Sequence, residues 1–485
     1  MTTPPTYEAS GVTAPRIAFV VYNDVHRDTR VRRIAKAAVD AGAEVRIFAF
    51  GGARVSQYAV GVERDDAGYE IERVPIASIG HVLVDAGQAV RRMLRRGRRA
   101  SPQRPAGSSV QAAPAQQSPT AEGVPAIDPG PRAGEPAGPR GAKGWVITQW
   151  RRADRTVRQF SFWRNARRAV KRWNPVLVHT HDANTLRVAT HVARRLRIPF
   201  VYDSHELWTH RNVSADRPVA KRLEGPMERR GARRAAAVIT VSPSIAEWLQ
   251  RNYSLRELPT LVRNIPPFDG RGPDPSSGRL HELAGLPADA RVVVYCGGIT
   301  FNRGIERVIE AVPHLAQGTH FVLLGEGTEV YVGGLRRLIE RVGVADRVHF
   351  AGAVDSAAVS AALADADVSV ALTQPTVLSY EYSLPNKLFE SVHAGLPVIT
   401  SNTKDAAAIV REYGLGQVVD PNASPVELAA AIESIVPDAA RYREAARAAA
   451  RELTWQHEAA RLIDLHNRVL AESRAGRRAG RTPRS

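Results

Sequence analysis

The chain has 485 residues, 44% hydrophobic and 24% charged, enough for two or three globular cores and too many for a peptide-like module. Its one cysteine, Cys296, excludes an intrachain disulfide, and its apolar runs, such as 17–22 and 292–296, fall far short of the roughly 20 residues a membrane-spanning helix needs. The net charge of +18 is concentrated: 91–173 holds 19 basic and 4 acidic residues, a net +15, which leaves the rest nearly neutral.

No charged-then-apolar-then-cleavage pattern precedes Arg16, so the reducing cytoplasm is the expected compartment. In chain order, strands are expected at 16–22, 44–50, 175–180, 199–203, 236–241 and 260–263, with helical patterns between them. One helix spans 29–41, where Val31, Ile34, Ala35 and Ala38 share a face and Gly42 ends it. Ser242-Pro243 reads as an N-cap followed by a first-turn proline. The stretch 97–144, built of Ala, Pro, Gly, Ser and Gln, buries too little apolar surface to offset its ordering entropy and is expected to be a disordered insertion. A Pro/Gly-rich stretch, 266–278, then reads as a hinge. The alternation restarts with strands at 291–295, 320–324, 347–350, 367–373 and 397–400. The expected fold is therefore α/β, with two parallel-sheet, Rossmann-like domains facing across a cleft, and chemistry is sought beyond the carboxyl ends of the strands.

After the first strand of the second half comes Gly297-Gly298-Ile299-Thr300-Phe301-Asn302-Arg303-Gly304, leading straight into a helix. Glycines let backbone N–H groups approach an anion, the helix start adds positive potential and Arg303 a forked contact; a tight turn with a solvated arginine fits the same residues. Farther on, Pro385 and Gly395 bound a short helix on which Lys387 and Glu390 sit three apart. A surface ion pair is one reading, and a lysine for phosphate with a carboxylate for two sugar hydroxyls is the favoured one. Gly325-Glu326-Gly327 lacks the further glycines and acidic residue of a dinucleotide fingerprint, which disfavours a nicotinamide enzyme. In the first half, His179, His181 and Asp182 cluster at one strand end, and Asp203, Ser204, His205 and Glu206 at another. Neither cluster has the His-Glu-x-x-His spacing or cysteine pairs of a metal site, so no metal is expected and these residues are read as substrate contacts, His205 ahead of His181.

In their order and spacing, 297–304, 325–327, the Val348-His349-Phe350-Ala351-Gly352 run and 385–397 resemble the retaining glycosyltransferases of family 4, as do 28–31, 178–182, 202–207 and Leu453-Thr454-Trp455. The resemblance covers most of the chain and implies the GT-B arrangement: an acceptor-side domain at 14–265, a nucleotide-sugar domain at 266–450, a helix at 451–472 crossing back to the first domain, and a basic tail at 473–485. It also implies a UDP- or GDP-sugar as substrate rather than cofactor. Arg303 and Lys387 would bind its diphosphate among Gly297, Gly298 and Gly304, Glu390 its ribose, and 352–354 (Gly352, Val354) its base. Catalysis would rest on His205, Arg303 and Lys387, with the departing diphosphate accepting the acceptor's proton. His181, Asp182, His205 and Glu206 would line the substrates. Three departures stand out: Tyr382 where many members carry glutamate, with Glu381 beside it; Gly298 and Arg303 where many carry arginine and lysine; and 23–30 in place of a glycine-rich first loop.

Aromatic and basic residues interleave over 145–173, from Trp145 and Trp150 to Trp173, as suits an anionic membrane surface; a core helix with a solvated arginine face is the other reading, and single-stranded nucleic acid the weaker rival. The expected function is transfer of a hexose or N-acetylhexosamine to a glycan or lipid-linked saccharide at the inner face of the membrane. A nucleotide-sugar epimerase of the same fold and a non-catalytic nucleic-acid or membrane-binding scaffold are the alternatives.

Overall fold

The computed structural model describes residues 5–7, 14–26, 28–52, 56–79, 142–211, 218–268, 270, 272 and 274–479. Two open sheets organise them. The first has the order β3-β4-β2-β1-β5-β6-β7-β8, built from β1 (Arg16–Val20), β2 (Glu44–Gly51), β3 (Gly61–Arg64), β4 (Glu70–Pro75), β5 (Leu177–His181), β6 (Phe200–Ser204), β7 (Ala237–Thr240) and β8 (Thr260–Leu261). All its pairs are parallel except β3 with β4. The second has the order β11-β10-β9-β12-β13-β14, wholly parallel, from β9 (Arg291–Cys296), β10 (Thr319–Leu324), β11 (Val348–Gly352), β12 (Val368–Ala371), β13 (Val398–Ser401) and β14 (Gly416–Val419). That is the doubly wound order, in which strand succession reverses beside the first strand and opens a crevice there.

Burial explains which strands the pattern revealed. The central strands are covered on both faces and read as continuous apolar runs, as in Val292–Cys296, fully buried. By contrast, β4 (EIERVP) alternates charged with apolar residues, β3 is exposed along its length, and β14 is short and only half-buried; none of these three was anticipated. The helix Thr29–Asp40 starts where Asp28 Oδ1 accepts the Val31 N–H at 3.0 Å and Asn23 Nδ2 donates to Asp28 Oδ2 at 2.7 Å.

Several boundaries differ from expectation. A helix already runs over Ala142–Trp173, so the end of the expected insertion is ordered, while 80–141 lies outside the described residues. The expected helix at 451–472 is two: Ala439–Glu452 belongs to the second domain, and after a break at Leu453-Thr454 the helix Trp455–Ala479 returns to the first. There Leu462, Ile463, Leu465, Val469 and Leu470 join a core with Ile34, Ala38 and Val262. The expected basic tail is therefore helical to Ala479, and 480–485 lies outside the described residues.

The helix Ala142–Trp173 changes sides along its length. Phe162, Trp163, Ala166, Ala169, Val170 and Trp173 are buried against the first sheet. At about 100° per residue, Val146, Ile147, Trp150 and Phe160 fall on the opposite side, and all four are exposed. Two stripes back to back explain why the segment shows no single helical stripe, and they divide the two readings of 145–173 between them: its second half is core, its first half is a surface. No helix among the described residues is long and apolar enough to cross a membrane.

Candidate functional site

The carboxyl ends of the two sheets face each other. Behind β6 and β7, Leu207 N donates to Ser379 Oγ at 3.3 Å, Ser242 Oγ to Tyr382 O at 2.6 Å, and Ser244 N and Oγ to Asp405 at 3.1 and 2.8 Å. Tyr382 thus packs against the first domain's core through its ring and accepts from it through its carbonyl. The neighbouring Glu381 lies by Asp405 and Lys404. The place where many resembling proteins carry a glutamate is here part of the domain contact.

On the second domain's side, three strand-end loops interlock. Gly297 N donates to Leu324 O at 2.9 Å, Ile299 N to Glu326 O at 2.8 Å, and Gly325 N to Gly352 O at 2.6 Å. A Cβ on Gly325 would stand 2.0 Å from Gly297 O, so only glycine permits this approach. Gly297, at φ +111°, turns its bare Cα toward Lys387: a Cβ there would lie 3.8 Å from Cε and 4.0 Å from Nζ. Gly298 and Gly352 are exposed, Val354 is half-buried, and Gly304 opens the helix Ile305–Ala311. Arg303 is half-buried, its guanidinium 5.1 Å from the centre of the Tyr380 ring.

Lys387 and Glu390 lie on the helix Asn386–His393, but they do not form the surface ion pair considered above. Lys387 is 9% exposed and its Nζ stands 3.8 Å over the Tyr295 ring. Burial, reinforced by Arg303, depresses its pKa to about 7. Glu390 accepts from Cys296 Sγ at 3.7 Å, and burial raises its pKa, with Lys387 opposing.

On the first domain's side, the centre is Asp203, fully buried at the end of β6. Arg30 grips it with both prongs, Nε to Oδ2 at 3.0 Å and Nη2 to Oδ1 at 2.8 Å, and Arg30 Nη1 donates to Val262 O at 2.7 Å. His181 Nδ1 and His205 Nε2 each lie 3.2 Å from Asp203 Oδ2, and His205 Nδ1 lies 3.5 Å from Asp182 Oδ2. Burial works against Asp203's charge, but Arg30 and then His205 outweigh it and hold the carboxyl well below the usual range. Burial likewise opposes charging His205, yet Asp182 and Asp203 raise it to about 9, so it is an imidazolium at neutral pH. Glu206, half-buried, is raised to about 7 by burial and by Asp182.

His181 has no exposed surface and turns to Asp203 and His205, so it supports the cluster instead of lining the cleft as expected. His179, His181 and Asp203 are the one set among the described residues with metal-ligand spacing. Arg30 already occupies both oxygens of that carboxylate with fixed positive charge, an arrangement that repels a cation. Arg30 and Arg33 were not singled out as site residues, and Asp203, read with its cluster as a substrate contact, is instead buried, as are His179 and Ser204. Arg33 Nη1 donates to Asn264 Oδ1 and Ile265 O, at 2.8 and 2.7 Å, close enough to Glu390 for each to favour the other's charge. Arg303, after Arg211 and His205, also favours the charge on Glu206.

Two family models match the chain in succession: Glycosyltransferase Family 4 over 126–266 and Glycosyl transferases group 1 over 290–438. The chain is 25% identical over 304 residues to D-inositol 3-phosphate glycosyltransferase of Xylanimonas cellulosilytica, covering 60% of this chain and 71% of the relative. It is 26% identical over 297 residues to glycogen synthase of Mycobacterium tuberculosis, covering 59% and 66%. Among solved structures, sucrose-phosphate synthase from Thermosynechococcus elongatus superimposes with a TM-score of 0.67 at 17% identity, over 94% of this chain and 100% of that one. Anabaena HepE in complex with UDP does so at 0.60 and 15%, over 95% and 100%. With one model on each sheet and the whole two-domain frame shared with GT-B enzymes, the chain belongs to the group 1, family 4 glycosyltransferases.

Proposed function

We propose that the protein is a retaining transferase that moves a hexose or N-acetylhexosamine from a nucleotide-diphosphate sugar, a UDP- or GDP-sugar, to a glycan or lipid-linked saccharide at a membrane face. The observation that carries the reading is the Gly297-Gly298 turn, whose bare Cα faces the buried Lys387 ammonium, with Arg303 half-buried just before the helix Ile305–Ala311. Solved relatives bound to UDP and to UDP-glucose support the donor class.

In this reading Arg303 and Lys387 take the diphosphate at the Gly297-Gly298 turn, Glu390 takes the ribose hydroxyls, and the base lies by Gly352 and Val354. The anomeric carbon–oxygen bond to the diphosphate breaks as the acceptor oxygen bonds to the same face, and the acceptor's proton ends on the departing phosphate oxygen. Fixed positive charge on that oxygen is the main catalytic contribution. His205 has both ring nitrogens turned to carboxylates, at 3.2 and 3.5 Å, so it acts as a fixed cation beside the donor sugar and not as a base. Asp182 and Glu206 border the acceptor.

The membrane part rests on the exposed stripe of Val146, Ile147, Trp150 and Phe160, with Arg151, Arg152 and Arg155 turned to the helix's other side. Aromatic and aliphatic side chains enter the headgroup region, and the arginines, held on the aqueous side of the helix, are drawn to an anionic leaflet only at longer range. The deciding experiment is thermal stabilisation by uridine, guanosine and adenosine diphosphates and their sugars, wild type against Arg303→Ala. A base-selective shift that the substitution abolishes is expected; no shift with any nucleotide overturns the reading.

A further inference from the structure

Behind the Asp203 cluster, away from the cleft, three buried polar side chains from distant parts of the chain form a line. Tyr7 OH lies 2.8 Å from His466 Nδ1, and His466 Nε2 lies 3.0 Å from His179 Nδ1. His179 Nε2 then stands 3.7 Å from Asp203 Oδ2, with no hydrogen-bond partner of its own. Tyr7 is 1% exposed and the two histidines 0%, and Phe19 stacks on His179 with ring centres 5.0 Å apart, fixing its plane. Their surroundings are otherwise apolar, side chains of the core that the returning helix Trp455–Ala479 completes.

The line has a direction. The Asp203 carboxylate facing His179 Nε2 favours a proton on that nitrogen, which leaves His179 Nδ1 to accept from His466 Nε2 and His466 Nδ1 to accept from the Tyr7 hydroxyl. Burial keeps both histidines neutral, His179 at about 4 and His466 well below its usual range. A neutral imidazole carries one N–H. With Nδ1 accepting, His466 donates from Nε2, and His179, accepting at Nδ1, must carry its proton on Nε2.

We propose that Tyr7 and His466 are positioning residues that set the tautomer of His179, so that an N–H and not a lone pair faces Asp203, and thereby tune how much of that carboxylate's charge reaches His205. The inference rests on the role given to His205 above. Its geometry also gives the returning helix a purpose beyond packing, since it brings His466 to the back of the site. Besides Asp203, the groups facing His205 are Asp182, His181 and Arg30, with Glu206 next to it in sequence and Arg211 and Arg303 beyond Glu206.

The test is nitrogen-15 histidine NMR on the full chain, which reads ring tautomers and titration midpoints without any transfer assay. In wild type, His179 and His466 are expected as Nε2–H tautomers. Tyr7→Phe should change the His466 tautomer. His466→Phe should raise the His205 midpoint by about half a unit, because Asp203 keeps its charge against Arg30 but shares less of it with His179. His466→Gln, which restores a donor, should bring the midpoint back. Leu470→Ala, on the same helix, should lower stability and leave His205 unmoved. An unchanged or lowered His205 midpoint in folded His466→Phe overturns the proposal, as does an equal rise in Leu470→Ala. Should His466→Phe fail to fold, Tyr7→Phe decides alone, and wild-type tautomers in that variant overturn it. Failure of the transferase reading shows separately, as absence of any nucleotide-dependent thermal shift.

Discussion

Replacing Lys387 by methionine should make the empty protein more stable and, on the function proposed above, unable to hold a diphosphate. Burial, with Arg303 adding to it, depresses this lysine from 10.5 to about 7. The unfolded chain therefore binds more protons than the folded one between about pH 7 and 10.5, and the wild type gains stability as pH rises through that window. Across the whole window the term is about 5 kcal/mol, and at pH 7.5 about 4 kcal/mol of it opposes folding. Loss of the 3.8 Å contact with the Tyr295 ring and imperfect packing of methionine reduce the benefit to about 1–3 kcal/mol. At about 2–4 °C per kcal/mol, the variant should melt several degrees higher at pH 7.5, with the difference shrinking toward pH 10. A diphosphate that recharges Lys387 should take up about 0.9 proton on binding at pH 8, seen in calorimetry as a dependence of heat on the ionisation enthalpy of the buffer. In Lys387→Met both this uptake and the nucleotide-induced thermal shift should vanish. A variant that is less stable at pH 7.5 and still stabilised by nucleotide would refute the reasoning on both counts.

Arg30→Met strands the buried Asp203 carboxylate and should cost about 3–5 kcal/mol in urea unfolding, whereas Arg30→Met with Asp203→Leu should recover most of it; equal losses in the two would show that the ion pair is not the cause. Glu228 is fully buried and accepts from Tyr202 and Tyr253, each at 2.7 Å; burial raises it from 4.5 to about 7, so the folded state binds the extra proton and wild-type stability falls as pH rises from about 4.5 to 7. Glu228→Gln should remove that slope, about 3 kcal/mol at full size, and so gain on wild type between pH 5 and 8 in calorimetric melting; a pH-independent difference counts against it. Trp150→Glu combined with Phe160→Glu should abolish flotation with anionic liposomes and leave the melting temperature within a degree or two, since both side chains are about half exposed. Flotation that ignores anionic lipid content would remove the membrane reading.

The fold was legible because parallel strands buried on both faces leave continuous apolar runs, and helices between them leave a three-to-four residue period. The glycine turn at 297–304 and the bounded helix carrying Lys387 and Glu390 were legible for a related reason: turns and helix ends need particular residues at particular places. Strands β3, β4 and β14 were not, because their positions are charged, exposed or too few to stand out from a loop.

Side-chain direction was beyond reach of spacing. Arg30 sits in a helix of ordinary amphipathic pattern, and only the sheet's arrangement aims it at a carboxylate 173 positions later. His181 looked like a substrate contact by its place at a strand end, but strand register put Asp203 beside it and burial closed it off. The 145–173 segment carries two apolar stripes whose composition is much alike, and the edge of the first domain's core decided which half is buried. The two-sheet frame, the glycine turn at 297–304 and the glycosyltransferase resemblance follow from local periodicity and from residues close together in the chain. Tertiary structure alone decided the charge states: Tyr7 and His466, 459 positions apart, meet because the last helix returns to the first domain, and Lys387, His205 and Asp203 owe their protonation to neighbours and burial that no local pattern encodes.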